Sequence, residues 1–145
     1  MRIASLKLRL AVSTLAVALA ATVPALAESV VFKAALNGAS EVPPNDSAGT
    51  GAVEATLDTS AKTLGWTITY SGISGDATAA HFHGPAAEGA NAGPVVPIEG
   101  TLASPIKGTS TLSDDQIKDL QAGMWYFNVH SAKFPDGEIR GQLKK

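Results

Sequence analysis

Residues 64–70, LGWTITY, carry the most regular pattern in the chain. Large apolar side chains alternate there with small or hydroxyl-bearing ones, which is the period of a half-buried β-strand. The apolar positions are Leu64, Trp66, Ile68 and Tyr70. Similar short segments recur along the sequence, separated by stretches rich in Gly, Pro, Asn, Asp and Ser. This organisation predicts an all-β protein.

Seven further segments have the character of short strands. They are residues 30–36, 51–57, 77–83, 95–102, 109–112, 124–130 and 138–143. Pro97 interrupts one of them, so we expect an edge strand or a bulge there. A single short helix is predicted after Ser113, because Ser113 and Gln116 have capping-box spacing and Gly123 can end the helix. Strands of this number and spacing predict an antiparallel Greek-key β-sandwich or barrel.

The first 27 residues have the composition of a secretory signal peptide. A basic start is followed by the apolar stretch LAVSTLAVALAATV and by Ala-Leu-Ala at 25–27, a pattern that signal peptidase cuts. A membrane anchor is the alternative, but the apolar stretch is shorter than the roughly 20 residues of a membrane span. We therefore expect cleavage after residue 27 and a single domain over residues 28–145, periplasmic or secreted.

Charge and cysteine content exclude several functions for residues 28–145. The segment 1–27 holds three of the 11 basic and none of the 13 acidic residues, so the remainder has eight basic and 13 acidic side chains and a formal charge of −5. This balance argues against binding to nucleic acid or to anionic lipid. Cysteine is absent, so neither a disulfide nor a thiolate metal site can form.

All three histidines of the chain lie in strand-like segments. The first two, His81 and His83, are two residues apart and therefore share one face of a strand, with Phe82 on the other. The third, His130, shares a face with Asn128, opposite three bulky apolar residues that are Trp125, Phe127 and Val129. If the two strands are neighbours, all three imidazoles converge outside the core. Three imidazoles suit copper best and zinc next, although surface histidines often have no role.

Three motifs resemble the CHRD domain, a family named from chordin and common in exported bacterial proteins. They are AALNGASEVPPNDSAGTGAVEATLD (34–58), HFHGPAAEGANAGPVV (81–96) and WYFNVHSAKFPDGEIRGQL (125–143). The resemblance extends over about residues 31–143. It implies an immunoglobulin-like β-sandwich with limited similarity to copper–zinc superoxide dismutases.

That similarity has a consequence for the histidines. His81 and His83 match the His-x-His copper ligands of the dismutases, and His130 matches their later Val-His ligand. The bridging histidine, the zinc ligands and the dismutase disulfide have no counterpart, because the chain has no fourth histidine and no cysteine. The resemblance therefore implies one mononuclear three-histidine copper site.

Other side chains near these motifs can support such a site. Asn128 can orient a metal ligand, although an Asn near a strand end more often binds backbone. Arg140 can supply a cation near the metal, as a dismutase requires. We expect instead an exposed arginine paired with Glu138 or another acid. Glu88 and Glu99 can add oxygen ligands, but we expect them to be solvated.

Three functions stay open at this point. The first is an exported protein that binds one copper or other transition-metal ion. The second is a noncatalytic extracytoplasmic interaction or structural module, whose partner is a protein and whose histidines only organise a loop. The third, a redox enzyme of the dismutase type, is the least favoured, because most of the dismutase ligands are missing.

Overall fold

The structure is a computed structural model that describes residues 28–145, so the predicted signal peptide lies outside the described residues. Eight strands, one α-helix and one short 3-10 helix, Gly38–Ser40, make up the domain. The strands are β1 Ser29–Asn37, β2 Thr50–Asp58, β3 Thr63–Ser71, β4 Ala77–His83, β5 Pro94–Pro97, β6 Ile106–Thr111, β7 Tyr126–Ser131 and β8 Ile139–Gln142. The helix, α1, spans Asp114–Gln121. Among the described residues, no helix has the length and apolar character needed to cross a membrane.

The eight strands form one antiparallel sheet that is nearly closed into a barrel. Their order is β5-β4-β7-β8-β1-β2-β3-β6, so β5 and β6 are the two edges. Trp66 of β3 and Phe82 of β4 meet across the interior, with ring centroids 5.3 Å apart. The predicted all-β fold is confirmed, and of the two predicted architectures the described chain adopts the barrel.

Several element boundaries differ from the predicted ones. The predicted strand 95–102 ends at Pro97, as an edge strand, because proline has no N–H to continue the ladder. The strand predicted at 109–112 already begins at Ile106, whose buried side chain is the one large apolar group in IKGTST. The predicted capping box is confirmed: the side chains of Ser113 and Gln116 each accept a hydrogen bond from the other's backbone N–H where α1 begins.

The barrel interior holds one continuous apolar core. The four aromatic side chains at its centre are Trp66, Phe82, Trp125 and Phe127. The alternation predicted for 124–130 is confirmed, because Trp125, Phe127 and Val129 are fully buried in this core. The residues between them therefore point to the outer face of the sheet.

Strand pairing brings the outer faces of β4, β7 and β8 side by side. His81 is paired with Asn128, and His83 with Tyr126, across the β4–β7 ladder. Asn128 is in turn paired with Arg140 of β8. The polar residues of the two histidine motifs thus meet on one outer surface, separated from the apolar core by the sheet itself.

Replacing Phe82 by Ala tests the aromatic centre of the core. The side chain is fully buried and packs against three other aromatic rings. Removing it should lower the free energy of unfolding by about 3–5 kcal/mol, as for other buried aromatics. Urea denaturation measures the change. The control Thr56→Ala, on the exposed face of β2, should change stability by no more than about 0.5 kcal/mol. Similar losses in both variants would contradict this description of the core.

Candidate metal centre

The three histidines converge, as the sequence predicted. Each offers one ring nitrogen, and these three atoms lie within 4.8 Å of one another. The shortest separation is 3.2 Å, between Nδ1 of His81 and Nε2 of His130. The ring centroids of His81 and His83 are 5.3 Å apart, and those of His81 and His130 are 5.0 Å apart. The adjacent strands β4 and β7 produce this convergence by holding all three side chains on one face.

The imidazole of His83 is held by oxygen atoms on both sides. Its Nδ1 lies 2.9 Å from the carbonyl oxygen of Ala92, and its Nε2 lies 2.9 Å from Oδ1 of Asn128. Burial lowers the pKa of His83, and the charges of His130 and Arg140 lower it further, whereas hydrogen bonding to the Ala92 carbonyl and to Asn128 Oδ1 raises it. The ring is therefore neutral near pH 7 and carries a single N–H. The ring can therefore donate a hydrogen bond to only one of the two oxygen atoms that face it.

His130 repeats this arrangement on the neighbouring strand. Its Nδ1 lies 2.8 Å from the carbonyl oxygen of Pro135, and its Nε2 lies 3.0 Å from the same Asn128 Oδ1. A neutral ring that donates from Nδ1 to the carbonyl leaves a bare lone pair on Nε2. The Nε2 atoms of His83 and His130 thus point to a common place next to Asn128.

His81 completes the group and has fewer supports. Its hydrogen-bonding contact among the described residues is with His130. Burial lowers the pKa of His81, and the neighbouring His130 and His83 lower it further. Its ring is therefore also neutral near pH 7, the form that binds metal ions.

Asn128 and Glu41 form a second layer behind the imidazoles. Glu41 follows the 3-10 helix and is 6% exposed. Asn128 Nδ2 and Glu41 Oε1 both lie against Gly137, where an added Cβ would be within 3 Å of each. Burial raises the pKa of Glu41 to about 7, although Arg140 and the amides of Asn128 and Val42 oppose the rise. The sequence left Asn128 open between orienting a metal ligand and binding backbone near the strand end. It offered no sign of Glu41, which lies in a loop distant in sequence.

Arg140 is buried, contrary to the exposed position expected for it. The side chain is 2% exposed, and its guanidinium donates to Asn91 Oδ1 at 2.7 Å and to the Ala90 carbonyl at 2.6 Å. It also stacks on the Tyr126 ring, 3.4 Å from its centroid. No described acid forms an ion pair with it, and its expected partner Glu138 is bound by serine hydroxyls instead. These come from Ser47, Ser74 and, in the same cluster, Ser131.

Tyr126 links Arg140 to the histidines. Its ring lies parallel to that of His83, with centroids 4.7 Å apart and 3° between the planes. Its hydroxyl donates to the carbonyl of Ala92, the same oxygen that faces His83. Tyr126 was not among the predicted site residues, although it alternates with Asn128 and His130 along β7 and therefore lies on this face.

The two acids considered as oxygen ligands lie apart from the histidines. Glu88 is exposed and pairs with Lys144 at 2.8 Å. Glu99 is exposed as well. Neither belongs to the group of potential ligands that the described residues bring together.

The donor chemistry and spacing fit a transition-metal ion. Zinc binds imidazole nitrogen at about 2.0–2.1 Å, which places two ligands of a tetrahedral ion about 3.3 Å apart. The 3.2 Å between His81 and His130 is close to this value. Backbone carbonyls at the far nitrogens of His83 and His130 are the usual outer partners of metal-binding imidazoles. The three residues therefore form a cluster that could hold a metal ion.

Comparison with known families supports the resemblance found in the motifs. The family model of the CHRD domain matches residues 32–143. The chain belongs to the CHRD family. No curated protein and no solved structure matches it, so the similarity to copper–zinc superoxide dismutases stays a prediction.

The CHRD match covers every residue of the candidate centre. It begins in β1 and ends just after β8, so the sheet and the covering loops all belong to the CHRD domain. The histidine cluster is thus part of the domain itself and not of an added segment. Membership in the family does not by itself assign a chemical role to the cluster, because a fold supports many functions.

Glu41→Gln tests the buried carboxyl in the metal-free protein. The pKa of Glu41 is about 7 in the folded state against 4.5 for the free side chain, so the folded state binds the proton more tightly. Wild-type stability should therefore fall relative to the variant as pH rises from about 4.5 to about 7, by at most about 3 kcal/mol. Urea unfolding of both proteins between pH 4 and pH 8 gives this difference.

The comparison removes the opposite contribution of the histidines. The pKa values of His81 and His83 are lowered by folding, so they make both proteins more stable as pH rises toward about 6.5. Their effect is common to wild type and variant and cancels in the difference. A difference that does not change with pH would show that the Glu41 carboxyl is not buried as described.

Proposed function

We propose that this protein is an exported CHRD-domain protein that binds a single transition-metal ion through His81, His83 and His130. Copper is the first choice of ion and zinc the second. The proposal concerns binding, in which the protein buffers, carries or senses the metal, and includes no catalytic step.

One observation carries the proposal. His83 and His130 each face two oxygen atoms, but a neutral imidazole has a single N–H to share between them. Where each ring donates its single N–H to the backbone carbonyl, the lone pairs of His83 Nε2 and His130 Nε2 face Asn128 Oδ1, at 2.9 Å and 3.0 Å. Lone pairs in such contact repel, and a bound cation turns the repulsion into coordination.

The choice of copper follows from the ligand type. Imidazole ligands suit zinc, copper, iron and nickel, and the affinity of such sites for divalent ions is highest for copper. Zinc comes next because it accepts three histidines in tetrahedral sites. The absence of cysteine from the sequence leaves no thiolate to compete for either ion.

A noncatalytic interaction or structural module is the second candidate. The hydrogen bonds of His83 with Ala92 and of His130 with Pro135 favour it, because they tie two loops to the sheet whether or not a metal binds. Among the described residues Val31 is the large hydrophobic side chain that is clearly exposed, at 42%. A docking surface on residues 28–145 is therefore not marked by a broad apolar patch.

A redox activity of the dismutase type is not part of the proposal. The sequence has no fourth histidine to bridge two metals. Arg140, the cation that could have drawn an anionic substrate to the metal, is covered and bound to the loop residues Ala90 and Asn91.

The first test is a titration of the purified metal-free protein with Cu(II), followed by electron paramagnetic resonance. Wild type should bind one ion with a spectrum typical of nitrogen ligation. His81→Ala is the most informative variant, because His81 contacts His130 and supports no loop. Its affinity should fall by more than the roughly 10–100-fold that loss of a ligand's outer partner costs. A triple variant of His81, His83 and His130 should lose the nitrogen-ligated spectrum.

The matched control is Glu88→Gln, which alters an exposed carboxylate of the covering loop outside the cluster. It should bind copper like the wild type. Equal, weak binding by wild type, His81→Ala and the triple variant would disprove the metal site and direct attention to protein partners.

Export is tested separately. Expression of the full chain in a Gram-negative bacterium, followed by fractionation and mass spectrometry, should yield a periplasmic or secreted protein that begins at Glu28. The reason is the Ala-Leu-Ala pattern at residues 25–27. A form that retains residues 1–27 in the cytoplasm or in the membrane would contradict the proposed export.

A further inference from the structure

We propose that Asn128 supplies the fourth ligand of the metal centre, through Oδ1, and thereby makes the site selective for divalent ions over Cu(I). This inference rests on the proposed function, because it concerns the same ion and the same three histidines. It adds an oxygen ligand that the histidine motifs alone do not indicate.

The distances around Asn128 are those of a coordination shell. Its Oδ1 lies 2.9 Å from Nε2 of His83 and 3.0 Å from Nε2 of His130. The third measured separation is the 3.2 Å between His81 and His130. Ligands at about 2.0–2.1 Å from a tetrahedral ion are about 3.3 Å apart. Four ligands around a tetrahedral ion define six distances between ligand atoms. Three of these six distances are already close to the expected value among the four side chains.

Glu41 is a positioning residue for this amide. Asn128 Nδ2 faces the side where Glu41 Oε1 lies, against Gly137. A carboxylate attracts the amide N–H and repels the amide oxygen, so Glu41 turns Oδ1 toward the imidazoles. Glu41 Oε1 is buried without a hydrogen-bond partner among the described residues, and the Asn128 amide is close enough to lower the pKa of this carboxyl. The oxygen is therefore free to attract the Asn128 N–H.

The ligand set determines which ions the site prefers. Soft sulfur ligands select Cu(I), whereas oxygen ligands favour harder ions. Three imidazoles alone accept copper in either oxidation state. An added amide oxygen completes a four-coordinate shell of three nitrogens and one oxygen, which suits Cu(II) and Zn(II). Asn128 is therefore expected to contribute to the affinity for divalent ions and little to the affinity for Cu(I).

The experiment compares wild type with Asn128→Ala and Asn128→Asp. Competition with chromophoric chelators gives the Kd for Zn(II), for Cu(II) and, without oxygen, for Cu(I). Asn128→Ala should lower the affinity for Zn(II) and for Cu(II) by about 10–100-fold. Its affinity for Cu(I) should fall by less than about threefold, well below that range. Asn128→Asp retains an oxygen at the same place and adds a negative charge, so it should raise the affinity for the divalent ions relative to that for Cu(I).

A spectroscopic measurement separates ligation from support. In deuterated water, pulsed electron paramagnetic resonance of the Cu(II) form should show a directly bound water in Asn128→Ala, where solvent replaces the lost oxygen, and none in wild type. Glu88→Gln is again the matched control, because the Glu88 side chain is exposed, pairs with Lys144 and lies outside the histidine cluster. This variant should bind Zn(II), Cu(II) and Cu(I) with affinities within about threefold of the wild type. Loss of a residue that supports a metal ligand would cost more than that.

The outcomes distinguish this inference from the proposed function. If wild type binds divalent ions through the histidines and Asn128→Ala binds them equally well, the fourth ligand is disproved and the three-histidine site stands. If Asn128→Ala and Asn128→Asp lose affinity for all three ions alike, Asn128 only supports the fold and the inference is again disproved. If wild type binds no ion, the proposed function fails as well. Should Asn128→Ala not fold, the ion preference of Asn128→Asp decides, since unchanged divalent affinity relative to Cu(I) would count against oxygen ligation.

Discussion

The pairing of β4 with β7 is the constraint on which the candidate site depends. It places His81 opposite Asn128 and sets His130 one step further along the same outer face. A shift of one residue would turn every side chain of one strand to the other face. The histidines of β4 would then enter the apolar core, and Phe82 would leave it. The aromatic packing inside the barrel and the imidazole cluster outside it are therefore two consequences of a single register.

A polar cluster on the outside of a sheet needs a cover of its own, and loops provide it here. The loop that follows β4 brings Ala90, Asn91 and Ala92 over the site, held by Arg140 and Tyr126. Glu41 reaches the same region from the loop after β1, and Pro135 from the turn after β7. These contacts are hydrogen bonds and ring stacking rather than apolar packing. The cover consequently orients the imidazoles, while the barrel core provides most of the stability.

The histidine cluster has more hydrogen-bond acceptors than N–H protons to donate to them, and this shortage bears on what it can bind. A histidine whose two nitrogens both meet hydrogen-bond acceptors is either charged or short of one proton. Burial and mutual repulsion oppose the charged form of His81 and His83. Under the proposed function a metal ion meets the same need, since the three imidazole nitrogens lie within 4.8 Å of one another. The CHRD family match locates this arrangement within a defined domain, while the proposed function rests on the geometry of the side chains.

The sequence by itself determined the strand periodicity, the capping box of α1 and the side of the sheet that each histidine takes. These features depend on neighbours two to four residues apart, so local patterns suffice to predict them. Only the tertiary structure decided that β4 and β7 are adjacent, that Arg140 is buried on Tyr126 and that Glu41 stands behind Asn128. Each of these contacts joins residues distant in the chain, and a charged side chain carries no local sign of whether a loop will cover it. The histidine motifs were therefore visible in the sequence, whereas the contact of Asn128 Oδ1 with two imidazoles and the position of the Glu41 carboxyl appeared only in the folded chain.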